Sequence, residues 1–387
     1  MDPAAGWALA ILGLLLGAGL AYQLAGQSLD ARRFPPPGRL IDIGGRRLHA
    51  HVLGEGRPAV VLESGIAASS INWTLVHAAS AAFTRTMAYD RAGYAWSDPA
   101  RSPRTSAACA DDLHALLQRL GLDLPCVLVG HSFGGLVVRS FVRRHPEAVA
   151  GLVFVDTIFP EDWRPVPPER RRMLRGGVLF SRIGVLLARL GVVRACLALL
   201  TCGRTAVPRA VAGSFGRTAT TVLARILGEV LKMPAERRPA IQAHWSRPRS
   251  FGSMASHLAA LPASAEDLAD ADPFGDIPVV VVVARGLRDD VRRQHDELAR
   301  RSSRGRVIEA AVGGHWVHLD EPGLVVSAIR EVVDAARRRW PHPTHDTENA
   351  ECAEKSTAAH AERAEGLTAE HAENADEIDR RARGGSS

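Results

Sequence analysis

The chain has 387 residues, long enough to bury a full core as one large α/β domain with an insertion or as two ordinary domains. Its hydrophobic fraction of 46% and charged fraction of 23% are those of a globular protein, and its five cysteines, with no C-x-x-C pair, exclude a disulfide framework or a zinc site. The net charge of +6 is unevenly spread: residues 341–387 carry 11 acidic and 5 basic side chains, so the rest of the chain stands at +12, and Glu161–Ser250 alone holds 17 basic residues against 5 acidic.

Trp7–Gly26 is an uncharged Leu/Ala/Gly-rich run of about 20 residues, the length of a membrane-crossing helix. It reads as an uncleaved anchor rather than a signal peptide, because a signal peptide opens with a basic region and only Asp2 precedes the run. Arg32, Arg33 and Arg39 follow it with no basic side chain on the other flank, which by the positive-inside rule leaves the large domain in the cytoplasm. Pro35-Pro36-Pro37-Gly38 is a stiff spacer.

Two short β-patterned runs, 39–43 and 47–52, flank Gly44-Gly45 and predict a hairpin. Strands are then predicted at 58–63, 86–89, 127–129 and 152–156, with helical spacing over 106–120 and 136–142. Strands that alternate with helices imply a parallel sheet. From Ile158 to about Asp276 the alternation stops, and an Arg-rich, proline-broken helical stretch reads as a cap inserted over the sheet. Within it, Val178–Leu200 places Ile183, Leu186, Leu187, Leu190, Val193 and Leu197 on one apolar face, suited to packing on the core or to lying on anionic lipid. The sheet resumes at 278–286 and 306–310, and a last helix runs to about Arg339. Beyond Pro341 the Ala/Glu/His-rich sequence lacks the large apolar residues of a core and reads as a solvated or disordered tail, with no ligand spacing among its histidines.

The centre of this organisation is Gly130-His131-Ser132-Phe133-Gly134-Gly135, a serine between a β-branched run and a helical pattern. A residue pinched into a strained turn needs neighbours without Cβ atoms, and G-x-S-x-G in that context is a nucleophile elbow. A serine hydroxyl is a poor nucleophile at neutral pH, so it needs a base within hydrogen-bond reach and a carboxylate to orient that base. His315, in the loop after the last strand, fits the base, with His318 as runner-up. Asp289, three residues past Gly286, lies near the end of a strand where active-site groups of parallel sheets gather, and Asp156, which ends an earlier strand, is the alternative acid. An oxyanion hole needs two donors: the N–H of Phe133, supplied by the elbow, and one from the Ser64-Gly65-Ile66 turn, assigned to Ile66.

Gly130–Gly135, Tyr89-Asp90-Arg91-Ala92-Gly93-Tyr94, Leu62-Glu63-Ser64-Gly65 and Gly314-His315 together resemble the α/β-hydrolase superfamily over residues 39–340, and more narrowly its bacterial membrane-anchored serine members. The resemblance implies an α/β-hydrolase fold, a mostly parallel sheet with helices on both faces and a helical cap. The expected layout is an anchor at 1–30, core at 31–157 and 277–340, cap at 158–276 and tail at 341–387. Ser64-Gly65 stands where His-Gly is common in the family. The dehalogenases and epoxide hydrolases of this superfamily use an aspartate at the elbow, and Ser132 argues against both. What remains is a serine esterase, lipase or thioesterase acting on a small acyl ester, with no cofactor, metal or nucleic acid. Amidase or cofactor-free peroxidase chemistry would use the same residues, and a non-catalytic scaffold with a basic cap would use none of them.

Overall fold

A computed structural model of the chain describes residues 3–100, 102–201, 228, 230–268, 273–312 and 314–339. The tail expected at 341–387 lies outside the described residues. The sheet has eight strands: β1 (Arg39–Asp42), β2 (Arg47–Leu53), β3 (Val60–Glu63), β4 (Thr86–Tyr89), β5 (Cys126–His131), β6 (Val149–Val155), β7 (Val279–Val283) and β8 (Gly305–Glu309). Their order is β1-β2-β4-β3-β5-β6-β7-β8. The expected hairpin is β1–β2, with Arg39 opposite Ala50, and β2 also runs antiparallel to β4. The other pairings, β3–β4, β3–β5, β5–β6, β6–β7 and β7–β8, are parallel.

The β-branched runs explain the centre of the sheet. Every residue of β3, β5, β6 and β7 is buried, as strands covered on both faces require. The helices around the sheet are α2 (Thr74–Ala81), α3 (Ser106–Leu120), α4 (Gly134–Arg144), α9 (Asp289–Arg300), α10 (Val317–Asp320) and α11 (Pro322–Arg339). In α3 the spacing of Leu113, Leu116 and Leu117 turns one face to the core, and the ends are set locally. Thr105 Oγ1 accepts from the Ala108 N–H at 3.1 Å, and Gly121 takes the left-handed conformation (φ 63°) that closes the helix. Val325, Ile329 and Val332, at helical spacing on α11, are fully buried.

The stretch expected to cap the sheet is helical where described: α5 (Pro168–Arg189), α6 (Val192–Thr201), α7 (Arg238–Trp245) and α8 (Pro248–Asp267). Val178–Leu200 is not one continuous helix. It bends by 91° between α5 and α6, at Leu190-Gly191, where Gly191 holds φ +71°. The bend splits the expected apolar face: Leu197 is buried, whereas Leu186 is 56% exposed.

The N-terminal run forms α1 (Pro3–Arg33), long and apolar enough to cross a membrane. Its first part is exposed, whereas its last third docks on the cap. Gln23 is buried and its Nε2 donates to the Ser246 carbonyl at 2.8 Å, while Arg194 donates to Gln23 Oε1 at 3.1 Å and to Asp30 at 2.7 Å.

Candidate active site

Parallel strands deliver their C-terminal ends to one edge of the sheet, and the candidate residues converge there. Ser132 follows the last residue of β5 and Asp156 follows the last residue of β6. The two strands are hydrogen-bonded neighbours, with His131 opposite Val155. Both turn residues are left-handed, φ 54° at Ser132 and φ 40° at Asp156, and each is pinned to the next strand: Ser132 N–H donates to Val155 O at 3.1 Å and Asp156 N–H to Val282 O at 2.8 Å. A non-glycine residue at positive φ is sterically costly, and here two of them flank one point on the sheet edge.

The glycines of the elbow are explained by what surrounds them. A Cβ on Gly134 would lie 2.5 Å from the Glu63 carbonyl oxygen, and a Cβ on Gly135 would collide with Thr157 Oγ1. Helix α4 can therefore start directly under β3 and β6 only with glycines at these positions.

His315 reaches this point from the loop between β8 and α10. The Val312 N–H donates to Glu321 at 2.6 Å, and the His315 carbonyl accepts from His131 Nε2 at 2.9 Å, which fixes the loop to the elbow. The imidazole Nε2 lies 2.9 Å from Ser132 Oγ, and Nδ1 lies 2.6 Å from Asp156 Oδ2. Asp156 Oδ1 in turn accepts from the Ala284 N–H at 3.4 Å. Both ring nitrogens of His315 are thus taken, and neither partner is Asp289. That residue opens α9, beyond β7 and so two strands away from β5, and its side chain is exposed. The structure brings Ser132, His315 and Asp156 together and leaves Asp289 apart from them.

The neighbouring imidazoles differ from His315 in being buried. Burial holds His131 well below the ordinary imidazole range, with His318 and His315 pushing the same way. Burial takes His318 down to about 3, and its ring lies tilted against Trp73 with centroids 4.5 Å apart. These two rings are held neutral by burial, and His315 is the exposed imidazole of the three.

Gly65 backs directly onto the serine, since a Cβ there would sit 3.2 Å from Ser132 Cβ. Among the described residues, neither the Ile66 nor the Phe133 N–H donates to a protein acceptor, while the next amide, Ala67, donates to Tyr94 Oη at 3.2 Å. Arg91 holds this loop from below: its buried guanidinium donates to Ser64 O, to Gly65 O and to Glu63. The sequence pattern assigns Arg91 no role, although Glu63, a carboxylate ending a fully buried strand, signals that a buried cation must lie nearby. Glu63 also accepts from Tyr89 Oη.

Ser132 and His315 open into a cavity of about 550 Å³ walled by Ile66, Phe133, Trp163, Leu174, Leu258 and Trp316. Besides Ser132, His315 and His131, the polar side chains of the wall are the Arg170–Asp162 pair, 2.9 Å apart. Among the described residues no three His, Cys, Asp or Glu side chains converge to hold a metal ion.

Residues 58–322 match the model of a family described as alpha/beta hydrolase fold. A protein of Hormonema carpetanum described as a probable transporter is 41% identical over 126 residues, which is 30% of this chain and 18% of that protein. Among solved structures, a thermophilic esterase from Thermogutta terrifontis superposes with a TM-score of 0.53 at 20% identity, over 75% of this chain and 94% of its own. The epoxide hydrolase CorEH superposes with a TM-score of 0.54 at 21% identity, over 76% and 96%. At these identities the two structures share the fold with this chain and nothing finer.

Proposed function

This chain belongs to the α/β-hydrolase family, and on that premise we propose that it is a serine hydrolase cleaving an apolar carboxylic ester through an acyl-enzyme. The observation that carries the reading is the continuous hydrogen-bonded line from Asp156 through His315 to Ser132 at the mouth of an apolar cavity. Ser132 Oγ attacks the acyl carbon as His315 Nε2 takes its proton, and Asp156 holds Nδ1–H and stabilises the imidazolium. The N–H groups of Ile66 and Phe133 receive the developing oxyanion, and Arg91 keeps the Ser64–Ile66 loop in place by holding its carbonyls. His315 then gives the proton to the leaving alcohol, and a water activated by the same ring releases the acid.

The nucleophile separates this chemistry from that of the epoxide hydrolase sharing the fold. An alkoxide that opened an epoxide would leave a serine ether, which water does not cleave, whereas an acyl serine hydrolyses. The apolar wall favours an acyl or alcohol group without charge. We further read α1 as a membrane anchor: Leu9, Ile11, Leu14 and Leu15 are all more than half exposed, which water disfavours and lipid does not.

The test uses the full chain in detergent micelles against p-nitrophenyl esters of increasing acyl length, together with a fluorophosphonate probe. Turnover and labelling confined to Ser132, both lost in Ser132→Ala, are expected. Hydrolysis unchanged in Ser132→Ala overturns the proposal.

A further inference from the structure

We propose that the α5–α6 elbow of the cap rests on the headgroups of an anionic bilayer, so that the catalytic cavity opens beside the membrane surface. This rests on the reading of α1 as an anchor, and two independent observations carry it further.

The first is a matter of length. Because Gln23 and Asp30 are bonded to the cap, the stretch of α1 free to span is Pro3–Tyr22 and not the Trp7–Gly26 run read from the sequence; its 20 residues make about 30 Å of helix, the thickness of a hydrocarbon core. Yet α1 is already in contact with the cap at the end of that stretch. A Cβ on Gly19 would lie 2.5 Å from the Leu190 carbonyl oxygen, and one on Gly191 would lie 2.7 Å from the Tyr22 ring. If α1 spans, Gly19 and Tyr22 sit at the edge of the hydrocarbon, and the elbow packed on them is at headgroup depth. The elbow cannot stand off in water without pulling α1 short of a full span.

The second is the chemistry of the outward face of α5. Arg175, Leu179, Arg182, Leu186 and Arg189 recur every three or four residues and so form one stripe, and all five are exposed. Leu179 is 60% and Leu186 56% exposed, which a water-facing stripe of a cap helix does not require. Arg175, Arg182 and Arg189 have no acidic partner among the described residues. A shallow hollow of about 370 Å³ between α5 and α8 is bordered by Arg175, Leu179 and Arg182. Alternating cations and leucines on one helix face fit phosphates above and acyl chains below, the pattern of an interfacial helix. The cap around it is also where the positive charge of the chain is concentrated.

The opposite side of the same helix faces the catalytic cavity, through Met173, Leu174 and Gly177. An apolar ester dissolved in the membrane would therefore enter across α5 without crossing bulk water.

The experiment places the full chain in nanodiscs of phosphatidylcholine alone or with one-third phosphatidylglycerol. An NBD fluorophore is attached at Leu186→Cys, with Cys196, Cys202 and Cys352 changed to serine. Leu124→Cys, at the opposite end of β5, is the solvent reference. With phosphatidylglycerol, aqueous iodide is expected to quench position 186 about fivefold less than position 124, as for a probe held in the headgroup layer. Adding Arg175→Glu, Arg182→Glu and Arg189→Glu is expected to abolish that protection, while hydrolysis of a soluble ester in micelles stays intact and reports the fold. Equal quenching at 186 and 124 in protein that resists alkaline carbonate extraction overturns the docking alone. Release of the protein by carbonate overturns the anchor on which it rests.

Discussion

Replacing Asp156 by asparagine tests the proposal that it, and not the other strand-end carboxylate Asp289, is the acid that orients His315. Asparagine tolerates left-handed φ and keeps an oxygen for the Ala284 N–H, so the turn survives while the charge 2.6 Å from His315 Nδ1 is lost. The Asp156 side chain is 13% exposed and that of His315 41%, an environment for which an effective dielectric near 20 is appropriate. At a charge separation of about 4 Å the carboxylate then stabilises the imidazolium of the transition state by ~4 kcal/mol, roughly three powers of ten in rate. In Asp156→Asn, kcat for p-nitrophenyl butyrate should fall about 1000-fold with KM little changed, because the interaction is gained only as the ring becomes charged. Asp289→Asn should fall within about threefold of the parent, as expected for an exposed group outside the site. Thermal melting of both variants shows whether the fold is intact. A large loss in Asp289→Asn with a small one in Asp156→Asn would refute the assignment.

Three further outcomes are expected. Burial lowers His77 to about 4 and His244 and His318 to about 3, so the unfolded chain binds more protons than the folded one once the pH drops below about 6.5. Stability is lost as pH falls through that value, by about 2 kcal/mol per ring between pH 7 and 5, and melting temperatures that stay level or rise over that range would contradict it. Gly135→Ala forces a methyl group onto Thr157 Oγ1 and should cost about 2 kcal/mol in urea unfolding; an unchanged midpoint would mean the elbow packs less tightly than described. Leu258→Trp fills part of the cavity wall, and excluding two methylenes at about 0.8 kcal/mol each should cut dodecanoyl over butyryl preference about tenfold, read from kcat/KM across the ester series.

Much of the site is legible in the residues because its parts are local. The elbow is one strand, one turn and one helix in the nineteen consecutive positions Cys126–Arg144, and the requirement for glycine around a strained serine acts within that stretch. His315 is similarly marked by its place after the last strand, although both partners of its ring, Ser132 and Asp156, lie more than 150 residues away in the chain. Arg91 was readable only in part: Glu63 announces a buried countercharge, but not which arginine among 46 supplies it.

What the chain order does not contain is which strands lie side by side. Asp156 and Asp289 both stand at or near strand ends, and along the sequence neither is marked as closer to Ser132. The order β5-β6-β7 decides between them, because β6 pairs with β5 and brings Asp156 to one strand spacing from the serine, whereas α9 carries Asp289 out beyond β7. The same holds for the cap. Hydrophobic periodicity predicts an apolar helix over Val178–Leu200, whereas in the structure the chain bends at Gly191, where Tyr22 of α1 lies against it, and Leu186 is exposed. Periodicity records the local preference of each residue for a face; which face is covered depends on neighbours that are distant in the chain.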